Sequence, residues 1–199
     1  TPEEEQDARR WASHHEVSLE IIPHETIQQL EPELHQHADS AVWMPDVAQV
    51  RNPRIAKSLR KAIDALGVRV LEGHAMQELL SEGAKVTGVR TDTEILEADH
   101  VVLCTGAWTA DLIARFSDDL PVIEPVRGQM LLFHAEPGII QRILLWNDRY
   151  AIPRKDGRVV FGSTLEYTGF IKETTESAAE ELFTEVTTRY PVLKNYPLE

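Results

Sequence analysis

The residue types able to do chemistry are few in this chain, and their spacing excludes more than it assigns. Two histidine pairs stand out among eight, His14-His15 and His35-x-His37. Neither is joined by a second ligand pair at zinc-site spacing, so both read as solvated side chains and no metal is expected. Cys104, the single cysteine, lies inside an apolar run and reads as a buried core thiol. No Ser-His-Asp or Cys-His constellation offers itself for nucleophilic catalysis. None of the ten glycines falls into the G-x-G-x-x-G spacing with which a helix N-terminus holds a pyrophosphate. What remains is ligand positioning. Thr105-Gly106-Ala107-Trp108 directly follows the apolar run, and small residues at a strand's C-terminal end let the backbone approach a bulky ligand. The same letters also suit an ordinary buried strand with a glycine turn.

Several elements must position these residues. Pro2 and the acids at 3–5 predict a helix to about His14, capped by Thr1, and Val17 to Ile22 alternates as a strand with Val17, Leu19 and Ile21 on one face. His24 to Leu34 reads as a short helix or helical turn, and Trp43-Met44 as an apolar strand against the core. Asn52-Pro53 is the clearest helix start, followed by Ile55, Leu59, Ala62, Ile63 and Leu66 at helical spacing, with Gly67 ending it. Val68 to Leu71 then reads as a short strand. A meander follows from Ala75 to Leu96, and His100 to Cys104 reads as a strand covered on both faces, as in a parallel sheet. Beyond Pro121, apolar segments at Val126–Phe133, Ile143–Trp146, Tyr150–Pro153 and Val159–Ser163, with a hairpin signal at Lys155–Arg158, predict an antiparallel sheet. Thr174 or Thr175 caps a last helix that turns Ala178, Leu182 and Val186 inward and ends at Pro191.

At 199 residues and 42% hydrophobic side chains the chain can bury a sizeable core. The formal charge of −13 argues against nucleic acid and anionic membranes as partners, and a small anionic substrate would need local positive charge. With no apolar run of membrane-spanning length and no signal sequence, the simplest expectation is a soluble, cytoplasmic protein. The start at Thr1 and the closing Leu198-Glu199 suggest an excised segment, with the last two residues extraneous.

Ordered motifs carry a resemblance over most of 50–191. Ala98-Asp99-His100-Val101-Val102-Leu103-Cys104-Thr105-Gly106-Ala107-Trp108 is similar to the strand and turn beside the cofactor in two-dinucleotide-binding flavoproteins. Pro125-Val126-Arg127-Gly128-Gln129-Met130, then Tyr150 to Glu166 with its Pro153-Arg154-Lys155-Asp156-Gly157-Arg158 centre, then Gly169-Phe170, resemble the glycine oxidase branch of the FAD-dependent D-amino-acid oxidase family.

The resemblance implies an α/β fold combined with α+β: part of a Rossmann-like FAD-binding lobe at 46–112, and an antiparallel substrate lobe with flanking helices at 1–45 and 113–199. It implies FAD as cofactor in the intact parent, with Met76, Thr105, Gly106, Ala107 and Trp108 near it. Met76 would meet the adenine part through its backbone. Tyr150 falls where a tyrosine bonds the substrate carboxylate, and Leu165 at an apolar wall of that site. Arg127 reads as a structural ion pair. The implied reaction oxidises the C–N bond of a small amino acid (glycine, sarcosine or a D-amino acid) to an imine, passing a hydride equivalent to the flavin, with oxygen or another acceptor taking the electrons. A related flavoprotein acting on another amine or a hydroxy acid, or a non-catalytic module on the same scaffold, remains open, as does a homo-oligomer. Without a phosphate loop or the family's principal arginine, these 199 residues alone are expected to be colourless and inactive.

Overall fold

A computed structural model of the chain describes residues 2–35, 38–114 and 123–199. In chain order the elements are α1 (Pro2–His15), β1 (Glu20–Pro23), α2 (His24–Leu30), β2 (Ser40–Trp43), α3 (Asn52–Ala65), β3 (Met76–Glu82), β4 (Lys85–Thr91) and β5 (Ile95–Glu97). A 3-10 turn at Gly106–Trp108 leads into α4 (Thr109–Ile113). Then come β6 (Met130–His134), β7 (Leu144–Trp146), β8 (Arg149–Pro153), β9 (Arg158–Gly162), α5 (Glu176–Arg189) and a 3-10 turn at Pro191–Asn195. The architecture is mixed α/β, in two compact units: Thr1–Ala48 with Val126–Glu199, and Gln49–Pro125. The Thr1 cap, His37 and the Pro121 boundary lie outside the described residues.

The first unit is built on an antiparallel sheet of order β6-β9-β8-β7. Strand alternation gives it two unlike faces. Leu131, Phe133, Ala151, Val159 and Phe161 point to one side, where Leu182 and Val186 of α5 meet them, and all are buried. Thr175 caps α5 by accepting from the Ala178 amide at 3.4 Å, and the helix stops at Arg189, before Pro191. The hairpin β1-β2 and helix α2 complete this core through Ile22, Ile27 and Ala41. Leu198 pairs with Phe133 and Glu199 with Arg158, so the chain's last two residues extend the sheet rather than trail from it.

The second unit holds α3 and the meander β3-β4-β5. Gly67 ends α3 at φ +74, with the Gly67 and Val68 amides bonded to the Asp64 and Ile63 carbonyls, the geometry that favours glycine at a helix C-terminus. Gly88 is demanded differently: a Cβ there would stand 2.2 Å from the Leu96 carbonyl oxygen of β5. The 91–94 turn is pinned by the Thr91 hydroxyl, which receives the Thr93 and Glu94 amides.

Four expectations are corrected. Val17 to Leu19 is irregular, β1 starts at Glu20, and Ile22 rather than Ile21 packs on the core. Arg51, not Asn52, holds the extended cap conformation of α3, and Asn52 is already helical. Residues 68–71 and 101–104 form no strands, because a strand needs a neighbour to take its backbone groups and no described residue pairs with them. Cys104 is accordingly exposed rather than buried, and Val102 is 83% exposed. The apolar stripe of α3 is likewise open, with Ile55, Leu59 and Leu66 all exposed.

Candidate functional site

Two surfaces bring the sequence-predicted site residues together, one in each unit. In the second unit a cavity of about 560 Å³ opens beside the start of β3 and the turn leading into α4. Met76, Thr105, Gly106 and Trp108 line it, as do Cys104 and Asp111; Ala107 sits in the same turn and is not one of its walls. Gly106 takes φ +53, a left-handed conformation, and the turn is held by Thr109, whose hydroxyl donates to the Gly106 carbonyl oxygen at 2.8 Å and meets the Thr105 hydroxyl at 2.9 Å.

The volume falls within the usual range for small-ligand sites. Its lining is mostly apolar, with Met76, Trp108 and Leu112 beside the small Ala75 and Gly106, one carboxylate at Asp111 and no lysine or arginine. That chemistry fits a flat, neutral ring portion of FAD, held by van der Waals contact and backbone groups. It does not fit the diphosphate, which calls for positive charge or a row of amides.

In the first unit, Tyr150 lies on the sheet face away from α5. It pairs with Gly162 of β9 on one side and Leu145 of β7 on the other, and Gly162 in turn pairs with Met130 of β6. The Tyr150 hydroxyl donates to the Met130 sulfur at 3.1 Å. Leu165 is 72% exposed and follows β9; its neighbours Thr164 and Glu166 bond to each other and Glu166 bridges to Arg127, so Leu165 points away from that polar group. The open face thus carries a phenol among apolar side chains.

Beneath it lies a polar network that fixes the strands. Arg127 pairs with Glu166 at 2.5 Å and donates to the Glu173 carbonyl oxygen at 2.7 Å. Gln129 donates to Glu166 and accepts from the Thr175 amide at 2.8 Å, and the Thr164 hydroxyl donates to Glu166 at 2.5 Å. The Thr164 hydroxyl, then Arg127 and Gln129, hold the Glu166 carboxyl down to about 2. Arg127 is therefore the structural ion pair expected of it. Arg149, beside Tyr150, is also tied, to Glu181 at 2.6 Å, Glu185 at 3.0 Å and the Ser163 carbonyl oxygen. It anchors β8 to α5 and so steadies the tyrosine.

Residues that sequence reasoning missed are Met130, Gly162, Arg149 and Asp111. The first two become visible only through sheet register. Arg149 precedes Tyr150 directly but is explained by two α5 carboxylates more than 30 positions away. His14 and His15 end α1 in an edge-on contact, and among the described residues no three potential ligands gather for a metal. No helix among them is long and apolar enough to cross a membrane.

Comparison with known proteins gives the chain's family. The model of the DAO family, described as FAD dependent oxidoreductase, matches residues 1–198. The chain is 40% identical over 181 residues to a glycine oxidase of Pseudomonas putida, covering 90% of this chain and 49% of that protein. It is 39% identical over 183 residues to one of Pseudomonas aeruginosa, covering 90% and 50%. The crystal structure of a glycine oxidase from Bacillus cereus superposes with a TM-score of 0.91 at 23% identity, over 100% of this chain and 54% of that one. The chain spans about half the length of the curated relatives it matches. The family model's match over nearly every residue and the identity to two glycine oxidases agree: the chain belongs to the family of FAD dependent oxidoreductases named DAO.

Proposed function

We propose that the chain is part of an FAD-dependent enzyme that oxidises the C–N bond of a small amino acid, glycine foremost, to an imine that water converts to a 2-oxo acid and ammonia or amine. The observation that carries this reading is the 40% identity to a protein named glycine oxidase, extending across both Tyr150 and the cavity-lining turn. In it, Met76 and the Thr105–Trp108 turn hold part of FAD, and the open sheet face receives the amino acid.

The residues' tasks follow from their chemistry. Tyr150 donates its hydroxyl to the substrate carboxylate, a charge-assisted bond that orients the molecule. Leu165 supplies an apolar wall that excludes water and disfavours bulk beyond a small side chain. Arg127 and Arg149 take no part in binding, because each is already engaged by carboxylates on the far side of the sheet. Bound FAD supplies the oxidation itself, as the acceptor of a hydride equivalent. This chain's side chains need only select the neutral amine and hold Cα in line, so the reaction asks no covalent nucleophile of them. Oxygen or another acceptor completes the cycle.

The test is anaerobic. Glycine, sarcosine, D-alanine and a matching 2-hydroxy acid are each mixed with the full-length FAD-loaded protein while the flavin band near its visible maximum is followed. Bleaching by the amino acids and not by the hydroxy acid supports the reading, and bleaching by the hydroxy acid alone sinks it.

A further inference from the structure

The row Met130–Gly162–Tyr150 crosses three strands on the open face of the sheet. Two strand spacings, about 9.6 Å, separate the outer positions. A tyrosine and a methionine on them meet only if both lean over the middle strand, and here they do, with hydroxyl oxygen and sulfur 3.1 Å apart. Gly162 makes the approach possible: a Cβ at that position would stand 2.6 Å from Met130 Cγ. Met130 is 56% exposed, so packing does not force it into this pose.

Sulfur's chemistry makes the contact more than incidental. A thioether is a weak, uncharged acceptor. It can hold the Tyr150 proton in a defined direction, yet loses it readily to a carboxylate, whose charge makes a bond roughly twice as strong. A carboxylate or amide at 130 would compete with the substrate for that proton. An aliphatic side chain would leave the hydroxyl to rotate toward water.

We propose that Met130 is a positioning residue for the amino-acid site: its sulfur holds the Tyr150 hydroxyl above Gly162 in an exchangeable bond that the substrate carboxylate replaces. The inference rests on the reading of Tyr150 as the carboxylate-binding residue. It adds a role for Met130, acting only through Tyr150, and a steric reason for glycine at 162.

The test uses the full-length FAD-loaded protein as parent, Met130→Leu, Tyr150→Phe and the double variant, with KM and kcat measured on glycine. Leucine keeps the volume and removes the acceptor. Met130→Leu is expected to raise KM about five-fold, because the substrate must then order the Tyr150 side chain at the moment of binding instead of finding it held over Gly162, with kcat within about two-fold because the lost contact orients binding rather than the reacting bond. Tyr150→Phe is expected to raise KM about ten-fold or more, through loss of a bond to a charged group. In the Tyr150→Phe background Met130→Leu should change KM by less than about two-fold, since the pair acts as a unit. Equal KM increases from Met130→Leu in both backgrounds would show a simple packing role and overturn the proposal. So would an unchanged KM in Met130→Leu beside a raised one in Tyr150→Phe, which leaves the reading of Tyr150 standing. An unchanged KM in Tyr150→Phe removes that reading and the role of Met130 together.

Discussion

Exchanging Glu31 for glutamine tests how the first unit handles a buried carboxyl. Glu31 follows α2, is 3% exposed, and accepts the Gln141 amide at 2.9 Å. Its second oxygen and the nearby Tyr190 hydroxyl are both buried without a partner at good geometry. Desolvation outweighs the Gln141 and Arg142 amides, the Arg142 charge and the Tyr190 hydroxyl, and raises the carboxyl from 4.5 to about 7. Between those values the folded protein keeps a proton that the unfolded chain has released, so stability falls as pH rises from about 4.5 to about 7 and is then level. A separation of roughly 2.5 pH units at about 1.4 kcal/mol each places the loss on the order of 3 kcal/mol. Glutamine keeps the acceptor for Gln141, offers an amide N–H toward Tyr190, and cannot ionise. Urea unfolding of parent and Glu31→Gln at pH 5 and pH 8 reads the effect. The variant should be more stable by about 2 to 3 kcal/mol at pH 8, with a difference below about 1 kcal/mol at pH 5. Equal stabilities at pH 8, or a less stable variant there, would refute the claim that burial dominates at Glu31.

Three further outcomes probe other parts of the fold. Glu166 behaves oppositely to Glu31: its carboxyl is held down by the Thr164 hydroxyl, Arg127 and Gln129, so its contribution is complete above about 4.5 and is lost as pH falls toward 2. Glu166→Gln should therefore flatten the acid limb of the stability profile followed by circular dichroism. Leu182→Ala empties a fully buried position between α5 and the sheet and should cost about 2 to 5 kcal/mol in urea unfolding. Gly88→Ala drives a methyl group into the Leu96 carbonyl and should destabilise by on the order of 1 to 3 kcal/mol, with faster amide exchange in β5 as the local sign.

Much of this architecture was legible because its signals are local. Asn52-Pro53 with Gly67 marked α3, Thr175 with Pro191 marked α5, and Lys155–Arg158 marked the β8-β9 hairpin, since caps, prolines and turn residues act within a few positions. The runs at 68–71 and 101–104 misled because hydrophobicity reports a wish for burial, whereas a strand also needs a partner edge. Cys104 was misjudged for the same reason. At the candidate site, family motifs pointed to Tyr150, Leu165 and the Thr105–Trp108 turn. Met130 and Gly162 could not be read that way, because cross-strand neighbours 20 and 12 residues from Tyr150 are set by register, and register is a property of the assembled sheet.

The first unit is assembled from two stretches of chain, and this bears on the order in which it can be made. The bond from Gln141 to Glu31 closes over 110 residues, and Ile22, Ile27 and Ala41 have their core partners across the same gap. At typical translation rates of 5 to 20 residues per second, those partners leave the ribosome about 5 to 20 s after α2 does. During that interval α2 and the β1-β2 hairpin wait with their apolar sides bare, while the second unit, contiguous in sequence, can fold behind them. The vulnerable stage in making this unit is therefore the wait for residues 126–199, and substitutions that add apolar surface to 20–43 should lower soluble yield even where the finished structure accommodates them.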